Sequence, residues 1–230
     1  MAIAHVATTI LDGAGTTSSI DTTGASLLVV GVSSYGPPSG SATISDSKSN
    51  TWTLLTLYAG VDYGIQVYYA TNPSVGSGHT VTTGGGLSFP GLVFSAFSGV
   101  DTASPFDVEN GNSAIASTNQ AGTVTPSNAN SLVISAAAIR QSGMLPTSID
   151  GGFTILDQGG GVSGIAVGMA YLIQTSIAAA DPTWTFSASN ASSITSAVFK
   201  AASGGGGGGG LVFDGRTFGA GRILGGSTLC

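Results

Sequence analysis

Two stretches of this chain, about 100 residues apart, carry the same ordered series of short segments. Ser26-Leu27-Leu28-Val29 is answered by Ser131-Leu132-Val133-Ile134, and Asn50-Thr51-Trp52-Thr53-Leu54-Leu55 by Gly151-Gly152-Phe153-Thr154-Ile155-Leu156. Tyr69 then matches Tyr171, Thr80-Val81-Thr82 matches Thr183-Trp184-Thr185, and Ser95-Ala96 matches Ser196-Ala197, all at offsets between 101 and 105. Five matches in one order define an internal duplication.

The repeated segments are rich in Val, Ile, Thr, Tyr and Phe and are separated by Gly, Ser, Pro and Asn clusters, which is the pattern of strands and turns. It predicts strands over His5–Ile10, Ser26–Ser34, Ala42–Asp46, Thr51–Tyr58, Gly64–Ala70, His79–Thr83 and Gly91–Ser98. A second set falls over Ser131–Arg140, Phe153–Gln158, Gly164–Ile173, Thr183–Ser187 and Ile194–Ala201. Only in Ser135–Ser142 do three alanines weaken the strand reading and leave helix as the alternative.

A half of about five strands leaves one apolar face uncovered, whereas two halves face to face enclose a core about 10 Å thick. The expected fold is therefore all-β: residues 1–203 form a two-sheet antiparallel sandwich, jelly-roll-like, with halves at about 1–110 and 111–203. Two beads in series are the alternative. Trp52 with Phe153, and Tyr69 with Tyr171, are expected to fill the shared core.

Only 7% of residues are charged, against ~25% in ordinary domains, while 42% are apolar. Such a chain buries a core, since disorder requires low hydrophobicity and high net charge. With net charge −6 and scattered cations, it offers no electrostatic footprint for nucleic acid. The apolar runs are strand-length, so no membrane span is expected, and the N-terminus shows no signal peptide. The lone Cys230 is expected to be a free thiol or an intermolecular bridge.

Seven glycines, Gly204 to Gly210, end the repeat and read as a linker. The following residues 211–230 are apolar again and read as a docking tail, an extended C-terminal arm carried by Leu211, Val212, Phe213, Arg216, Phe218, Arg222, Ile223 and Leu224. Four large apolar side chains after such a spacer exceed what a solvated tail requires.

Catalytic patterns are missing from the sequence. His5 and His79 lack metal-ligand spacing and read as strand surface residues, and no nucleophile elbow precedes a helix. Asp46 with Asn50, Asp62, and Asp107 with Glu109 offer loop oxygens for Ca²⁺, but turn capping accounts for the first pair. Asp107 and Glu109 alternate on one strand face, a weak sign of a glycosidase pair. Gly84-Gly85-Gly86 and Gly159-Gly160-Gly161 fall between strands, where no helix N-terminus completes a phosphate cradle. No catalytic, cofactor or metal residue is assigned.

Asp46-Ser47-Lys48-Ser49-Asn50-Thr51-Trp52-Thr53, Tyr69-Ala70-Thr71-Asn72-Pro73, Ser104-Pro105-Phe106-Asp107 and Asn130-Ser131-Leu132-Val133-Ile134 give residues 1–202 a resemblance to the low-charge β-sandwich proteins of tailed-bacteriophage virions. The resemblance implies a virion location, other virion proteins as partners, a homo-oligomer, and a role as capsid decoration or cement protein. A tail or fibre component binding host glycans through Tyr35, Tyr58 and Tyr63 is the alternative, and a carbohydrate-active enzyme the third reading.

Overall fold

The computed structural model describes residues 1–35, 42–85, 87–141, 143–160 and 164–203. Among them are fourteen β-strands and no helix. The linker and all eight tail residues assigned to docking lie outside the described residues.

The chain begins with β1 (Ala4–Asp12), β2 (Leu27–Tyr35), β3 (Thr43–Asp46), β4 (Thr53–Leu54), β5 (Tyr58–Ala59), β6 (Tyr63–Thr71), β7 (Val81–Gly84) and β8 (Ser88–Ser98). It continues with β9 (Phe106–Gln120), β10 (Ser131–Ile139), β11 (Pro146–Ile149), β12 (Thr154–Gly159), β13 (Ala166–Gln174) and β14 (Thr183–Phe199). All pairing between these strands is antiparallel. One large sheet runs β1-β8-β2-β6-β4, with β5 also on β6, and the other β9-β14-β10-β13-β12, with β11 also on β14; β3 and β7 form a small separate sheet.

The two orders are the same plan. In each, the first strand sits at the edge beside the last, and the second strand lies between the last and the fifth or sixth. Registers agree as well: Leu27 faces Phe97 and Thr71 in one sheet, and Leu132 faces Phe199 and Ile173 in the other. Val29 stands opposite Ser95, and Ile134 opposite Ala197. Pairing thus sets Ser95 level with Ala197, one residue beyond the match expected from sequence.

One apolar cluster draws on both sheets, with Leu27, Val29, Ile65, Val67, Val93 and Phe97 from one and Leu132, Ile134, Val167, Met169 and Phe199 from the other. Contact there is close: a Cβ on Gly91 would lie 2.9 Å from Val167 Cγ1. Separate clusters cover the outer faces, and Trp52 and Phe153 belong to these. The expectation that they fill the shared core is therefore corrected. Tyr69 and Tyr171 do pack against it.

Three strand assignments also change. Thr51–Tyr58 breaks into β4 and β5, and Thr183–Ser187 runs on into Ile194–Ala201 as the single 17-residue β14. Ser135–Ser142 is no helix: β10 lies between β13 and β14, and its alanines are completely buried on both faces. Two strands are new. β11 is short, and β9 is a margin strand whose polar, half-exposed residues give no apolar alternation.

Candidate functional site

Strand register places the ends of the structure. Near one end lie Ala4, Leu27, Ser98, Ser131 and Phe199, where Val100 bridges Ala201 and Ala202 donates to the Gly99 carbonyl. Near the other lie Asp12, Tyr35, Tyr63, Ser88, Ile139 and Ala166.

The densest polar cluster is on the outer face of the first large sheet. His79 and Thr22 are fully buried, as is the side chain of Asp46. The His79 Nε2 is 3.2 Å from Asp46 Oδ1, and Nδ1 is 2.9 Å from Thr22 Oγ1. A carboxylate only accepts, so Nε2 carries the proton and the neutral ring accepts from the threonine hydroxyl. Asp46 also receives the backbone N–H groups of Lys48 at 2.7 Å and Asn50 at 3.2 Å, the Asn50 amide at 3.1 Å and Trp52 Nε1 at 2.7 Å. Burial holds the His79 pKa below its ordinary value, opposed by the Asp46 carboxylate.

Hydroxyl, imidazole and carboxylate in a row are the parts of an activated nucleophile. Here the hydroxyl is sealed in, and the Gly76 N–H donates to it at 3.1 Å. The cluster therefore pins three connections together: Thr22 before β2, Asp46 through Trp52 after β3, and Gly76 to His79 before β7. His79 is no surface residue, a correction to the sequence reading; its signal was its period-2 phase with the buried Val81. His5, by contrast, is exposed on β1, beside Phe97 and Tyr171.

The corresponding place in the second half is apolar. Ile20 bridges His79 in the first half, and Val124 bridges Ala180 in the second. Asp46 faces Val81 on β7, and Ile149 faces Trp184 on β14. The fold can evidently close this corner without the charge.

The remaining carboxylates do not converge. Asp62 pairs with Arg140, Asp107 accepts from the Ser127 N–H at 2.7 Å, and Glu109 accepts from the Thr56 N–H and hydroxyl at 3.1 and 2.6 Å. Among the described residues no group of three or more His, Cys, Asp or Glu side chains is placed to hold a metal.

Four of the six large exposed apolar side chains among the described residues, Tyr35, Val61, Phe89 and Ile115, lie at the end away from Ser203, while Met1 and Ile177 lie near Ser203. Tyr35 and Phe89 stand edge to face at 6.1 Å, both well exposed. Phe89 has φ +50°, a conformation uncommon for a bulky residue. The Arg140 guanidinium reaches both the Tyr35 hydroxyl and Asp62, tying the two large sheets together. Of the tyrosines expected to be exposed, Tyr63 is buried and Tyr58 half-buried against Gly111, where any Cβ would collide with the ring. Burial first, then the nearby Asp62 for Tyr63 and Glu109 for Tyr58, raises both phenol pKa values.

No family model, no curated protein and no solved structure matches this chain.

Proposed function

We propose that residues 1–203 are a duplicated two-sheet β-sandwich acting as a non-catalytic structural component of a virion, a capsid decoration protein that binds a repeating protein lattice. The duplication is supported by the identical strand order of the two sheets and their corresponding registers, and the sandwich by the apolar cluster drawn from both. The observation that carries the functional reading is polarity of the body. Ser203, from which the glycine run and apolar tail continue, is at one end, and four of the six large exposed apolar side chains among the described residues, Tyr35, Val61, Phe89 and Ile115, collect at the other. Two separate contact regions on one rigid body suit attachment to a lattice, because linking them raises avidity through effective concentration.

The residues with chemical potential are engaged otherwise: Thr22, His79 and Asp46 with one another, Asp107 and Glu109 with loop backbone. This favours a non-enzymatic role. A tail or fibre module binding glycans is the second reading, favoured by the exposed Tyr35–Phe89 pair beside Arg140, since sugars stack on aromatic faces and bond to guanidinium groups.

The test is attachment to particles lacking the protein, comparing full-length chain with a chain ending at Ser203. Lower occupancy and faster loss of the shortened chain are expected. Equal occupancy and equal resistance to dissociation would remove the docking role of the tail. Binding to host glycans but not to particles would favour the fibre reading.

A further inference from the structure

Where the β5–β6 turn of the first large sheet faces β9 of the second, an open groove of about 570 Å³ is lined by Val61, Asp62, Tyr63, Ile115, Arg140 and Ala191, among others. Val61 and Ile115 are 88% and 77% exposed. Beside the groove runs β9, the outermost strand of its sheet, paired among the described residues with β14 alone. Its register is unbroken from Asn110 to Ala116, and the ten residues from Gly111 to Gln120 carry no charge. Such an edge presents alternate N–H and C=O groups to an added strand, and here nothing in the sequence blunts it with lysine or proline.

We propose that this groove and the β9 edge accept the segment Leu211–Cys230 of a second copy of the chain, joining copies head to tail. The inference rests on the docking role of the tail and names its acceptor. Strand addition supplies main-chain hydrogen bonds, while alternate side chains enter the groove; Leu211-Val212-Phe213 and Ile223-Leu224 provide apolar side chains to lie on Val61 and Ile115. Charge agrees with this. Residues 1–203 hold ten acidic and three basic side chains, whereas residues 211–230 hold two arginines and one aspartate.

Reach favours a second copy for the start of the tail, while a monomer closed on its own groove is an outcome the experiment separates. The groove is at the end away from Ser203, and a nine-residue strand such as β10 separates the ends by roughly 30 Å at ~3.4 Å per residue. Seven glycines pulled straight span only about 20–25 Å. Leu211 falls short of its own groove, which only later residues such as Ile223 and Leu224 could reach, but meets the groove of a copy stacked end to end. Because donor and acceptor are different surfaces, the contact is heterologous and propagates into a filament or closes into a ring.

The experiment is sedimentation velocity on full-length chains. Wild type should associate with rising concentration. Ile115→Arg, and separately Phe213→Asp combined with Ile223→Asp, should each weaken self-association by about tenfold or more, with unchanged melting temperatures; Ile115→Ser repeats the groove test without a charge. Mixed together, the Ile115→Arg chain and the tail variant should form a complex that stops at one of each, since one supplies an intact tail and the other an intact groove. A wild type that stays monomeric overturns the proposal, as does a mixture that forms no complex. Self-association surviving in the tail variant but lost in the groove variant also overturns it, and assigns the groove to another occupant, such as the β9 edge of a second copy. If the tail variant no longer attaches to particles while Ile115→Arg attaches and associates like wild type, the docking role stands and this acceptor falls.

Discussion

The ring of Phe97, on β8, lies 5.6 Å from the ring of Tyr171, on β13, tilted by 58°. Phe199 on β14 meets Tyr69 on β6 in the same manner, at 5.3 Å and 64°. Each pair crosses from one large sheet to the other, and the pairs exchange under the correspondence of strand order. A third ring joins each pair from the edge strand: His5, which faces Phe97 on β1, and Phe106, which faces Phe199 on β9. The same volume is filled twice, once with an imidazole and once with a phenyl ring.

Equivalent packing should give equivalent coupling. Double-mutant cycles with leucine at Phe97 and Tyr171, and at Phe199 and Tyr69, are expected to return about 0.5–1.5 kcal/mol each from urea unfolding. Coupling in one pair and none in the other would break the equivalence of the halves.

Asp46 accepts hydrogen bonds from His79, Trp52, Asn50 and the Lys48 backbone with its side chain fully buried. Asp46→Ala orphans several donors together and should cost about 3–5 kcal/mol, in the range for breaking a buried charged network. Asp150 caps the Thr183 N–H from an exposed position, so Asp150→Ala should cost only about 1 kcal/mol. Urea midpoints compare the two. Equal losses would show that the buried cluster adds nothing beyond a turn cap.

Burial lowers the His79 pKa in the folded state, so the unfolded chain takes up a proton first as pH falls. Stability is then complete above about pH 6.5, the unfolded value, and declines below it until the folded ring also titrates. Thermal melting from pH 8 to pH 5 should show this decline, and His79→Gln should flatten it. His5 is shifted the same way by partial burial, so His5→Gln is the companion measurement. A melting temperature rising on acidification would reverse the sign and refute the assignment.

The shared cluster takes buried residues from both halves. Residues 1–104 alone would expose Leu27, Val29, Ile65, Val67, Val93 and Phe97, each contributing ~1.5–3 kcal/mol when buried. That fragment should show no sharp thermal transition as a monomer. A cooperatively melting monomer by calorimetry and sedimentation would mean that each half is a domain by itself.

The sequence by itself determined the class of structure and the positions of the long central strands, because β-branched and aromatic runs between Gly, Pro and Asn turns admit little else. It also matched Leu27 with Leu132 and Tyr69 with Tyr171, which occupy like pairing positions in the two large sheets. Only the tertiary structure decided which face of each strand turns inward. Alternation marks two faces without saying which one meets the other sheet, so Trp52 and Phe153 were expected in the shared core and lie on the outer faces. β9 escaped because a margin strand is half solvated and needs no apolar alternation. β14 runs unbroken through Ser189 and Asn190 because its early part pairs with β11 and its later part with β10, whereas in the first half Gly85, at φ +90°, separates β7 from β8. The cluster of Thr22, Asp46 and His79 was illegible for a related reason: residues 24 and 33 apart become neighbours only when three connections fold over one face, and that approach is set by packing.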